Sequence, residues 1–145
     1  MADRILARFP GLSSTSFRVT SPATRDYNCI AWAANETARW WWPDPDVENA
    51  AAYWPDSVER EETIEAFMAA FAALGFTRTD DERVELGCEK IALFANGSEP
   101  THAARQLPNG FWTSKLGTLE DIQHELRAIE GEIYGGVVAI LRRPL

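Results

Sequence analysis

The chain has few cysteines, few histidines and no long apolar run. Its 145 residues include 2 cysteines and 2 histidines. Cys29 and Cys88 are separated by 58 intervening residues, which excludes a disulfide scaffold of closely spaced pairs. Two free thiols in a reducing compartment are expected instead. No Cys or His pair has the short spacing that structural zinc sites use, so Cys29, Cys88, His102 and His124 are not read as a metal set. No cofactor is expected.

No stretch approaches the length of a membrane span, and the first twenty residues hold Asp3, Arg4, Arg8 and Arg18 without an apolar core for a secretory signal. The protein is therefore expected in the cytoplasm, unless it leaves by a route that needs no cleavable signal. Basic residues number 14 against 22 acidic ones, a net charge of -8. A surface of that sign repels phosphate backbones and anionic lipid, so neither nucleic acid nor membrane is expected as a partner. The acidity is concentrated between Asp44 and Glu65, where Arg60 is the one base among eight acids. That stretch reads as a solvated face or as a docking surface for a basic partner or substrate.

What remains is an ordinary globular composition, 46% apolar and 25% charged, long enough for a single domain over residues 1–145. Residues 1–25 are rich in Ser, Thr and Pro and read as an extended lead. Asp26 or Asn28 caps a helix expected to run to about Arg39, with Ile30, Ala33, Ala34, Ala38 and Trp41 at helical spacing. Pro43 and Pro45 stop it. A second helix from Ser57 presents Ile64, Phe67, Met68, Phe71 and Leu74 as an apolar stripe and ends at Gly75.

Strands follow: Lys90 to Ala95, then Thr101 to Leu107 and Phe111 to Lys115 around the turn Pro108-Asn109-Gly110, and finally Gly136 to Arg142. Thr118 and Asp121 resemble a capping box, so a third helix is expected through about Ile129. It carries His124 partly exposed, with Glu120 or Asp121 one turn earlier. Cys88, at a strand entrance, reads as packing. Helices first and strands later indicate an α+β fold with a mainly antiparallel sheet.

The chemistry is carried by two residues. Cys29 opens a helix, where unpaired amides and the dipole favour a thiolate. His102 lies on a strand, as the base such a nucleophile needs. The bland reading of Cys29 is a small buried residue in an Ala-rich helix. If the hairpin loop has three residues, Leu107 faces Phe111 and Ala104 faces Ser114. His102, Gln106, Trp112 and Ser114 then share a face, and Ser114 is the diagonal neighbour that orients the imidazole. Gln106 is a second choice. A two-residue turn brings Thr113 and Lys115 there instead. Asn28 reads equally as a helix cap or, with the Cys29 amide, as an oxyanion donor. The aromatic run Trp40-Trp41-Trp42-Pro43 and Tyr53-Trp54-Pro55 reads as a lid over the core or as a cleft wall. Trp41, Trp42 and Trp54, together with Gln106 and Trp112, are the expected substrate contacts.

Asn28-Cys29-Ile30-Ala31-Trp32-Ala33, Trp41-Trp42-Pro43, Tyr53-Trp54-Pro55 and Thr101-His102-Ala103-Ala104-Arg105-Gln106 resemble motifs of a group of small, functionally unassigned bacterial proteins. So do Gly110 to Gly117, Ile122-Gln123-His124 and Tyr134-Gly135. The resemblance runs from about Pro22 onward. In order and placement that group resembles the papain-like superfamily, including the NlpC-type amidases. The resemblance implies a helix-opening Cys, a His on the sheet and a polar orienter on the next strand, places taken here by Cys29, His102 and Ser114. The chain departs from it in having no Gln upstream of Cys29 and in having Ser114 where Asn, Asp or His is usual.

The expectation is a thiol hydrolase or acyltransferase acting on an amide, isopeptide or thioester bond of a peptide or other amide substrate. The alternatives are a non-catalytic papain-like binding or neutralising module that uses the acidic surface and, less favoured, a secreted toxin domain with the same thiol chemistry.

Overall fold

The computed structural model describes residues 2–46 and 52–145. Seven strands form one sheet: β1 (Arg18–Ser21), β2 (Thr77–Thr79), β3 (Cys88–Asn96), β4 (Glu99–Gln106), β5 (Trp112–Lys115), β6 (Asp121–His124) and β7 (Gly136–Pro144). Their order across the sheet is β1-β6-β5-β4-β3-β7-β2, and every ladder is antiparallel. Three helices accompany it: α1 (Ala2–Arg8), α2 (Cys29–Ala33) and α3 (Ile64–Ala72). The fold is α+β.

Period-two alternation along β3 divides the interior into two cores. Ile91 and Leu93 pack with α2, α3, Trp41, Trp54 and Ala103. Ala92 and Phe94 pack with Ile5, Phe9, Leu12, Trp112, Ile122 and Tyr134 on the other side. Helix α3 starts not at Ser57, as expected, but at Thr63, whose hydroxyl accepts from the Ala66 amide at 3.1 Å, and its Phe67 and Phe71 are fully buried. Gly75, at φ 100°, turns the chain beyond it as the sequence predicts.

Three expectations are corrected. Residues 1–25 are not an extended lead: Ile5, Phe9 and Leu12 recur at helical spacing, and α1 with a 3-10 turn at Pro10–Ser14 buries them in the second core. Helix α2 ends at Ala33 rather than Arg39. Asn35 adopts φ 64°, with Asn35 N bonded to Trp32 O and Glu36 N to Ala31 O, a Schellman stop with Asn in the left-handed position. Residues 118–129 are not a helix. Gly117, at φ 62°, turns β5 back into β6, and Ile122 and Asp121 take cross-strand partners Ser114 and Lys115. Only Leu126–Ile129 coils, as a 3-10 turn. Sheet pairing and burial of Ile122 override the local capping signal.

The 108–110 loop has three residues. Arg105 faces Thr113 and Gln106 faces Trp112, the three-residue one of the two registers read from Pro108-Asn109-Gly110. This ladder extends no further along β4, so beyond Arg105 and Thr113, on the side away from the turn, β4 pairs with β3 and β5 with β6 but not with each other.

Candidate active site

Helix α2 is anchored by Asn28. Its Oδ1 accepts from the amides of Ala31 and Trp41, each at 3.1 Å, and its Nδ2 donates to the Trp41 carbonyl at 2.8 Å. Of the two roles read for Asn28, the structure shows the cap: the side chain joins the helix start to the aromatic linker. Cys29 follows as the first helical residue, 8% exposed. It lines a pocket of about 410 Å³ together with Asn28, Trp40, Trp42, Asp44 and Gly117.

Amides of Ala103, Ile30 and Cys29 face the sulfur and favour its ionised form, as does the Lys115 charge. Burial outweighs them and pushes the thiol up to about 11, so it is protonated at neutral pH.

His102 lies on β4, 1% exposed. Its Nε2 is 2.9 Å from Ser114 Oγ on β5, as the three-residue loop requires. Ser114 Oγ is in turn 2.7 Å from His124 Nε2 on β6, and His124 Nδ1 is 2.7 Å from the Glu125 carbonyl oxygen. The His102 ring stacks on Tyr134, with centroids 3.9 Å apart and 14° between planes, and meets Phe94 edge-on. Its Nδ1 is buried without a hydrogen-bond partner among the described residues. Burial, helped by the nearby His124, holds His102 well below the ordinary imidazole range. Burial also lowers His124, to about 4. The expected partly exposed helical position of His124 is corrected to a fully buried strand position.

The thiol and the imidazole approach the same strand from different sides. Cys29 belongs to the first core and meets β4 at Ala103, whereas His102 pairs with Phe94 and faces the second. No hydrogen bond joins Cys29 to His102 among the described residues, so the resting structure corrects the expectation of direct contact. Period-two alternation is the reason: neighbours on a strand point to opposite faces.

The other expected contacts divide. Trp42 lines the Cys29 pocket, as does Trp40. Trp41 and Trp54 are 4% and 1% exposed and belong to the first core, with indole N–H groups on Glu36 and the Glu59 carbonyl. Trp112 is buried in the second core, and Gln106 donates to the Glu82 carbonyl beside a different pocket. These four are corrected to packing or remote positions, because large rings with one polar atom are most stable inside when that atom finds an acceptor. Residues 47–51 of the acidic, aromatic linker lie outside the described residues.

Sequence reading missed a buried polar group on the Cys29 side of the sheet. Lys115 and Asp121 face each other across β5 and β6, both 0% exposed. Lys115 Nζ donates to the carbonyls of Gly117 and Leu119 and lies 5.5 Å from the Tyr27 ring centroid. Tyr27 donates its hydroxyl to Asp121 Oδ2 at 2.6 Å. Burial raises Asp121 and lowers Lys115 from their usual ranges. The signal available was Asp121 itself, a charge in strand register with a lysine, hidden by the helical reading of that segment.

Among the described residues no cluster of three or more His, Cys, Asp or Glu side chains is arranged to hold a metal ion, and no helix is long and apolar enough to cross a membrane. No curated protein and no solved structure matches the chain. A family model described as a domain of unknown function, DUF7689, matches residues 18–142, from the first residue of β1 into β7, and the chain belongs to that family.

Proposed function

We propose that this protein is a papain-like thiol hydrolase or acyltransferase acting on an amide, isopeptide or thioester bond. One observation carries the reading: His102 has Nε2 engaged by Ser114 and Nδ1 buried without a partner, one residue along β4 from the amide that faces the Cys29 sulfur. A papain-like base is presented in that way, with one nitrogen held by an orienter and the other left for the thiol proton.

Because the two side chains lie on opposite faces of β4, contact requires a local rearrangement of β4 near its parting from β5 that turns the His102 ring toward Cys29. Cys29 gives its proton to His102 Nδ1, and the sulfur attacks the acyl carbon. The tetrahedral oxyanion is held by the Cys29 amide. Collapse expels the amine or thiol, which takes the proton back from His102 and leaves an acyl thioester on Cys29. Water or an acceptor amine then resolves that thioester. Trp40 and Trp42 hold the acyl chain in the pocket.

A second reading is favoured by a specific observation. The Cys29 thiol is pushed up to about 11 and has no hydrogen bond to His102, as suits a papain-like scaffold retained for binding. Alkylation separates the two. A lone thiol at about 11 is only about one part in ten thousand ionised at neutral pH. For a hydrolase, iodoacetamide is expected to label Cys29 faster than Cys88, with His102→Ala lowering the Cys29 rate by about 100-fold. Slow labelling of both thiols, indifferent to His102, supports the binding module and overturns the thiol reading.

A further inference from the structure

The chain of contacts from His102 through Ser114 to His124 has only one arrangement of protons, and its direction is set at the far end. The Glu125 carbonyl can only accept, so His124 Nδ1, at 2.7 Å, carries a proton and donates it. His124 is fully buried and neutral at physiological pH, being lowered to about 4. A neutral imidazole has one N–H, so His124 Nε2 is a bare acceptor. At 2.7 Å from it, Ser114 Oγ must donate its single hydrogen there. The hydroxyl then has only lone pairs to offer His102 Nε2 at 2.9 Å, and that nitrogen must be the donor. Any other arrangement sets two lone pairs or two hydrogens against each other inside a buried site.

We infer that His124 is a positioning residue that fixes the tautomer of His102: it locks the proton on Nε2 and leaves Nδ1 as a lone pair. The unpartnered Nδ1 follows directly. Were that atom protonated, a buried N–H would have no acceptor, whereas an unpaired lone pair is the milder loss and is also the form a general base requires. Ser114 alone cannot impose this outcome, because a hydroxyl rotates and donates or accepts equally well. The polarity comes from Glu125 through His124. Tyr134, stacked on His102, holds the ring plane but contributes no hydrogen bond to its nitrogens among the described residues.

The catalytic meaning of this tautomer rests on the thiol reading above; the tautomer itself does not. Nitrogen-15 NMR of histidine-labelled protein distinguishes the two. In the unsubstituted protein and in Cys29→Ala, His102 is expected to show a pyrrole-type Nε2 and a pyridine-type Nδ1. His124→Phe removes the acceptor, freeing the Ser114 hydroxyl to donate to His102, and is expected to shift the population to the Nδ1-protonated form. His124→Gln offers a carbonyl oxygen to Ser114 and is expected to restore the Nε2-protonated form. Finding Nδ1 protonated in the unsubstituted protein overturns the inference without need of any variant. So does an unchanged tautomer in folded His124→Phe. An Nε2-protonated ring beside an unreactive Cys29 sustains the inference and removes the hydrolase.

Discussion

Acidifying the protein from pH 6.5 to about 4 is expected to remove roughly 3 kcal/mol of folding stability through His124 alone. The folded ring is held at about 4 by burial, while the unfolded ring titrates near 6.5. Above pH 6.5 both states are neutral and the contribution is whole. Between the two values the unfolded chain binds a proton that the folded chain refuses, so stability falls as pH falls. His102 lies well below its ordinary value for the same reason and extends the loss to lower pH. Asp121 acts in the opposite sense: its raised value means that the folded state keeps a proton that the unfolded state releases, so acid relieves that site. Against a total of about 5–15 kcal/mol for a domain of this kind, the His124 contribution is a large fraction. Urea denaturation midpoints across this window test the sum. His124→Gln should be flatter between pH 6.5 and 4, and a flat profile for the unsubstituted protein would remove the buried neutral histidines from the account.

Gly135→Ala is expected to destabilise the fold by about 3 kcal/mol or more. Gly135 has φ 69°, a conformation costly for alanine, and an added Cβ would fall 2.7 Å from the Ala95 carbonyl carbon. The tight approach has a use. Gly135 pairs with Gly131, closing a short turn that presents Tyr134 to His102, while Thr101 donates to the Tyr134 carbonyl at 2.6 Å. Widening that turn lifts Tyr134 from the imidazole. A lower thermal midpoint together with broadened His102 NMR signals is the expected result. Gly87→Ala, at φ 80° with open space around its Cβ, serves as the milder control.

These effects show how far the residue pattern reaches. Pro108-Asn109-Gly110 located the turn but left two registers open; the chain adopts the three-residue loop, which places Ser114 beside His102. Asp26 and Asn28 narrowed the start of α2 to two positions, and Asn28 is the one that caps it. Its end was also legible, since Asn35 is a residue type that tolerates the left-handed conformation, but a scattering of later apolar residues obscured it. The segment from Thr118 was not legible locally. Its helix signals are real, and only pairing with β1 and β5, one of them a hundred residues away, makes it a strand. The relation of Cys29 to His102 lay further still beyond the sequence. Alternation tells which neighbours on β4 share a face, but not which face α2 packs against. The buried Lys115–Asp121–Tyr27 group escaped for the same reason: charged residues are read as exposed until a partner is known.

The proposed hydrolase depends on Cys29 and His102 acting on one acyl group. Intact-mass measurement after exposure to an activated ester tests it directly, using Cys88→Ser so that one thiol remains. A single acyl adduct on Cys29 is expected, absent in Cys29→Ala and formed about 100-fold more slowly in His102→Ala. An adduct that forms at the same rate without His102, or no adduct at all in the folded protein, would contradict it.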